Sequence, residues 1–163
     1  MKALETPGHA SHHHVYLDEA SGDLFTGDAA GVAMPGSRYV GPPTPPPDFD
    51  VPAWKRTLAR MRAVRGSRLL LTHFGPHTWV DDLLTQLEGW LDAREQFARQ
   101  TAAAGWDEPE VTVRLTALVA AEMAQVRGSA PPTGFEAVMP LRNNVLGLIR
   151  YAGRWTNRVS GRP

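Results

Sequence analysis

Proline and glycine limit what this chain can fold into more than any other feature. Of 163 residues, 15 are Gly and 14 are Pro, and in the first third each short apolar run soon meets a turn signal. Lys2 to Glu5 is stopped by Thr6-Pro7-Gly8. Val15-Tyr16-Leu17 runs into the polar stretch Asp18 to Asp23, and Leu24-Phe25-Thr26 returns to end at Gly27-Asp28. These runs are too short for helices and read as strands joined by a hairpin connection. From Gly31 to Asp48 no period survives, and residues 41–48, with Pro42-Pro43-Thr44-Pro45-Pro46-Pro47, read as an extended polyproline-like connector.

Asp50 and Pro52 reverse the pattern, because a capping carboxylate followed by a first-turn proline opens a helix. Trp54, Leu58, Met61 and Val64 follow at helical spacing, and Gly66 ends the run. Arg68-Leu69-Leu70-Leu71 is a block suited to a buried strand, and Thr72-His73-Phe74-Gly75-Pro76 comes directly after it. The rest is helical. Val80, Leu83, Leu84, Leu87, Leu91 and Phe97 form one stripe, and Leu115, Leu118, Val119, Met123 and Val126 form a second behind Pro109. A break over residues 128–134 precedes a last helix from Val138 to about Asn157. The expectation is an α+β chain in two parts, a strand-rich region 1–79 and a helical extension 80–163. Arg150, Arg154 and Arg158 share a face of the last helix, which is expected to be solvated, and His77 is expected in an exposed loop.

Charge and composition narrow the chemistry. Lys plus Arg and Asp plus Glu both number 17, so no net charge draws this chain to nucleic acid or a membrane surface. No apolar run spans a bilayer and no signal-peptide core follows Met1, so a cytoplasmic location is expected. Cysteine is absent, so any metal must be held by His, Asp or Glu. Three segments offer such ligands beyond short strands: Thr6-Pro7-Gly8-His9, Phe25-Thr26-Gly27-Asp28, and Leu71-Thr72-His73-Phe74-Gly75-Pro76. A sheet fixes the backbone while the loop beyond each strand lets side chains converge.

The order of TPGH, a hairpin carrying LFTGD and then a strand with THFGP resembles the second half of the metallo-β-lactamase fold, most of all the glyoxalase-II-like hydrolases. The match covers about residues 2 to 77, and the tail around Met139-Pro140-Leu141 and Ile149-Arg150-Tyr151 is similar to the helical tail of some members. The resemblance implies one sheet half of an αβ/βα sandwich followed by a helical extension. It implies that His9 ligates the first metal, that Asp28 bridges two metals and is the catalytic carboxylate, and that His73 ligates the second. It implies two zinc ions and hydrolysis of an ester, thioester or related acyl bond of a small-molecule substrate through a metal-bound hydroxide.

This sequence departs from the family in one respect. The HxHxDH segment that lies upstream of the PGH histidine has no counterpart, since only eight residues precede His9. Contiguous His12, His13 and His14 do not replace it and are expected around the site rather than as ligands, with alternation putting His13 on the face opposite the other two. His9, Asp28 and His73 alone make at most a weak or single metal site, and the apolar faces lack a partner layer. The expectation is a truncated product, a misassigned start, or a chain completed by a missing N-terminal half or by a homo-oligomer. Two rivals stand beside the hydrolase: a non-catalytic remnant or interaction module of the fold, and a mononuclear iron or zinc oxidoreductase.

Overall fold

The computed structural model describes residues 1–33, 36–126 and 135–159. Strand β1 (Lys2–Glu5), β2 (His14–Asp18) and β3 (Asp23–Gly27) form an antiparallel meander, as the short runs between turn signals require. A one-turn 3-10 helix (Asp28–Ala30), the two-residue strands β4 (Val32–Ala33) and β5 (Val40–Gly41), and helix α1 (Val51–Val64) then lead to β6 (Arg68–Leu71). β6 lies beside β3 and parallel to it, so the main sheet has the order β1-β2-β3-β6. The remaining helices are α2 (Val80–Ala104), α3 (Glu108–Gln125), α4 (Phe135–Val138) and α5 (Leu141–Val159). Among the described residues no helix is long and apolar enough to cross a membrane.

This topology places the site. β1, β3 and β6 run in the same direction, so their C-terminal ends share one edge of the sheet, and the antiparallel β2 begins there. His9, His13, Asp28 and His73 follow or precede these strand ends by a few residues, and all arrive at that edge.

The two faces of the sheet differ. On one face of the sheet Val15, Leu24 and Leu69 have no exposed surface. They pack with Trp54, Leu58 and Met61 of α1, with Leu83, Leu84, Leu87 and Leu91 of α2, and with Val145, Leu148 and Tyr151 of α5 in one cluster. That core runs through both parts that the sequence divides at residue 79. The opposite row is Ala3, Tyr16, Phe25 and Leu70, register partners across the four strands. Tyr16 and Phe25 are 45% and 43% exposed, so no described element covers this side.

Several expectations need correction. The proline-rich segment is no mere connector. Pro42, Pro43 and Thr44 are buried, and residues 46–48 turn instead of staying extended. The last helix is interrupted at Met139–Pro140, because Pro140 supplies no amide donor to the turn before it, and α4 and α5 are separate. His77 is half-buried, not exposed. Its backbone pairs with Leu69 in both directions at 2.8 and 2.9 Å, and its ring packs edge-on against Trp79. The arginine face is solvated at Arg150 and Arg154 as expected, with Arg154 also bonding Asp50 at 2.7 Å and lying over the Tyr151 ring. The side chain of Arg158 and the break at 128–134 lie outside the described residues.

Behind the core, Arg94 of α2 and Glu122 of α3 form a buried two-pronged ion pair, and the Tyr39 hydroxyl donates to Glu122 Oε2 at 2.9 Å. Removal from water and the Glu122 charge beside it push the Tyr39 hydroxyl far above the ordinary phenol range, so it remains a donor.

Candidate metal centre

The loop carrying His9 is built against the start of α1. Gly8 has φ +137°, and an added Cβ would lie 2.4 Å from Trp54 Cα, so only glycine lets the two backbones meet there. The Gly8 carbonyl accepts from Asp50 N at 2.8 Å, and the Pro7 carbonyl accepts from Thr57 Oγ1 at 2.7 Å. Trp54, wholly buried, donates its Nε1–H to the Ala29 carbonyl at 2.7 Å and meets the His9 ring edge-on at 5.6 Å. One tryptophan thus supports both the His9 loop and the 3-10 turn that begins with Asp28.

The Asp28 carboxylate stands between two imidazoles. Its Oδ2 is 3.7 Å from His9 Nε2 and its Oδ1 is 3.9 Å from His73 Nε2. Both gaps exceed hydrogen-bond length. Oδ1 is buried and has no hydrogen-bond partner among the described residues. The side chain is 29% exposed, yet this oxygen is enclosed without a donor, and such groups call for an explanation. His9 Nδ1 lies 3.1 Å from the Pro43 carbonyl. A carbonyl can only accept, so Nδ1 carries a proton, and in the neutral ring that leaves Nε2, the nitrogen facing Asp28, as the one able to ligate.

His13 also reaches the site. Its Nδ1 is 3.2 Å from the buried Thr6 hydroxyl, and its ring meets His9 edge-on at 5.9 Å. Its Nε2 sits where a Gly27 side chain would be, 2.5 Å from the position of a built Cβ. Burial, helped by His9, holds the His13 imidazole below its usual range, so it is neutral at neutral pH. His12 and His14 do not face the centre. Both are exposed, and His14 donates to the His12 carbonyl at 2.9 Å and stacks on Tyr16. β2 begins at His14, so alternation sends His13 inward and its neighbours out.

The donors suit a zinc-type ion: imidazole nitrogens and a carboxylate oxygen. Two ligands each ~2.0–2.1 Å from one tetrahedral ion stand about 3.3 Å apart. The pairs here are a few tenths of an ångström wider. Among the described residues, no group of three or more His, Cys, Asp or Glu side chains is arranged to hold a metal ion by itself. What the chain offers is a carboxylate with one imidazole near each oxygen. Beside them a cavity of about 430 Å³ is lined by Phe25, Gly27, Leu70, Leu71, Thr72 and Gly75.

Sequence reasoning missed two supports, the Pro43 carbonyl and the Thr6 hydroxyl. The first has no letter in the sequence, since every residue carries a carbonyl. The second sits inside the TPGH segment but reads there only as part of a turn signal.

Comparison with known proteins agrees with this architecture. Residues 1–73 match the sequence model of the metallo-beta-lactamase superfamily. Among solved structures, a metallo-beta-lactamase family protein from Thermus thermophilus superposes with a TM-score of 0.55 at 19% identity, covering 94% of this chain and 44% of its own. An archaeal metallo-beta-lactamase superfamily protein from Sulfolobus tokodaii gives 0.51 at 23% identity, covering 90% of this chain and 44% of its own. This chain therefore spans less than half the length of either. No curated protein matches the chain. Over residues 1–73 the chain carries the sequence pattern of the metallo-beta-lactamase superfamily, and its structure is part of that fold.

Proposed function

We propose that this chain forms half of the centre of a metal-dependent hydrolase, a zinc enzyme acting on an ester, thioester or related acyl bond. The observation that carries the reading is the orphaned Asp28 Oδ1, in a carboxylate flanked by His9 Nε2 and His73 Nε2. Asp28 would be shared between two ions, His9 would hold one and His73 the other. Bound zinc would supply Lewis acidity and lower the pKa of a coordinated water. The chain's own part is to position these groups. Pro43 orients His9, Trp54 supports the His9 and Asp28 loops together, and neutral His13 closes the wall beside Gly27. The adjoining cavity offers Phe25, Leu70 and Leu71 to the apolar portion of an acyl substrate.

Each half-site has two protein ligands here, where structural and catalytic zinc sites use three or four. The remaining ligands are assigned to a polypeptide layer covering the open row of Ala3, Tyr16, Phe25 and Leu70, the same face that borders the cavity. The alternative is a non-catalytic interaction module of the fold, favoured by the lack of a self-sufficient ligand group among the described residues.

Zinc titration with imidazole resonances as the readout tests the proposal. The expected result is weak uptake that shifts His9 and His73, and that falls at least about tenfold in Asp28→Asn, the ligand loss exceeding what an outer-shell change costs. Absence of any response at these histidines would sink the metal reading and leave the module. Tight binding of two ions by this chain would refute the assignment of further ligands elsewhere.

A further inference from the structure

The peptide unit between Pro43 and Thr44 is gripped at both ends. Its carbonyl accepts from His9 Nδ1 at 3.1 Å, and its N–H donates to Asn144 Oδ1 at 2.6 Å. Carbonyl and N–H of one trans peptide lie in a common plane and point in opposite directions, so fixing one fixes the other. Asn144 is on α5, 100 residues away in sequence from Thr44, and both residues are buried. Its amide Nδ2 donates to the Pro140 carbonyl at 2.9 Å, which orients the side chain and leaves Oδ1 as the acceptor toward the loop. The Thr44 hydroxyl adds a contact at 3.0 Å to the same Oδ1. Gly147, one turn further along α5, provides the space: a Cβ built there would fall 1.7 Å from the Thr44 carbonyl oxygen.

We propose that Asn144 is a positioning residue for the metal centre, acting through the Pro43–Thr44 peptide to hold His9 as its Nδ1–H tautomer with Nε2 free to ligate. The chain of contacts is short and polar throughout: α5 amide, loop peptide, imidazole. Hydrogen bonds in series through one peptide also polarise each other, which strengthens the Pro43 carbonyl as an acceptor. A tail helix that looks remote from the strand-end motifs therefore sets the orientation of one ligand. The effect on metal uptake rests on the hydrolase reading above; the tautomer assignment does not.

The test uses the whole chain with nitrogen-labelled histidine, observed above the imidazole titration range. In the unaltered protein His9 is expected as the Nδ1–H form, and an Nε2–H form there would overturn the proposal without any variant. Asn144→Ala is expected to release the peptide and mix the His9 tautomers, while lowering zinc affinity by roughly tenfold. Asn144→Asp keeps an acceptor for the Thr44 N–H but loses the donor to Pro140, and is expected to retain more of the Nδ1–H form than Asn144→Ala and less than the unaltered chain. Thr44→Val removes only the hydroxyl and is expected to leave the tautomer as it was. A folded Asn144→Ala protein with a pure Nδ1–H His9 overturns the inference. If the unaltered chain and His9→Ala respond alike to zinc, the metal reading fails instead, and the tautomer measurements still decide the role of Asn144.

Discussion

Gly27 combines two demands in a single residue. Its φ of +53° with ψ of −139° is a conformation that side chains rarely adopt, and its missing Cβ is the space into which His13 Nε2 fits. Gly27→Ala would cost about 1–3 kcal/mol for the backbone alone. It would also push the His13 ring away from His9 and lift the start of the Asp28 turn. The expected outcome is a lower melting temperature together with loss of the zinc-induced shifts of His9 and His73. An alanine variant that melts like the unaltered chain and keeps those shifts would show that His13 does not form the wall. At this scale the sequence is most readable where a special residue sits at a strand end: Gly8 before His9, and Gly27 before Asp28. It is least readable where the partner is a backbone atom. Nothing in the letters at Pro43 says that its carbonyl meets an imidazole 34 residues earlier.

Helix α1 is the element on which the site is assembled, and its first residue boundary is the Asp50 cap that the sequence predicts. Asp50 Oδ1 accepts from Ala53 N at 2.8 Å, and Oδ2 accepts from Arg154 of α5 at 2.7 Å. Burial pushes the Asp50 carboxyl upward, but the Ala53 amide and the Arg154 guanidinium outweigh it and hold it below its ordinary value. A depressed folded pKa means that this stabilisation is complete above the unfolded carboxylate value of ~3.9 and is lost as pH falls through the lower folded value. Asp50→Ala is expected to cost about 1 kcal/mol at neutral pH from the cap. The gap between variant and parent should close as pH falls below the carboxylate range. Asp50→Asn, which can still cap, should lose mainly the Arg154 contribution. Urea unfolding at a series of pH values measures all three, and a gap independent of pH in the acid range would contradict the assignment. Helix α1 was legible because its cap, its first-turn proline and its apolar stripe agree. The tail was less so: the stripe from Val138 onward continues through Pro140, so periodicity alone joins two helices that the missing proline N–H separates.

For the molecule as a whole, the alternation in Val15-Tyr16-Leu17 and Leu24-Phe25-Thr26 already implies two unlike faces, and the structure turns Val15 and Leu24 to the helices and Tyr16 and Phe25 outward. What alternation could not give is the fate of the outer row, because an exposed aromatic and one buried beneath a second layer have the same letter. Ala3, Tyr16, Phe25 and Leu70 are adjacent by register, with Phe74 46% exposed beyond the strand ends. Contiguous apolar surface of this kind marks an interaction site more often than scattered exposed residues do. The chain taken alone should therefore associate through this face at high concentration. Phe25→Glu is the discriminating change, since the side chain is 43% exposed and its replacement leaves no cavity in the core. It is expected to shift stability by no more than about 0.5 kcal/mol, the range usual for surface positions. Sedimentation should show it monomeric where the unaltered chain is not. Leu24→Glu, one residue earlier and without exposed surface, should by contrast prevent folding. If the unaltered chain stays monomeric at every concentration, and Phe25→Glu changes neither its sedimentation nor its binding of apolar dye, this face is not an interface. The further ligands proposed for the Asp28 centre would then have to come from another side of the sheet edge.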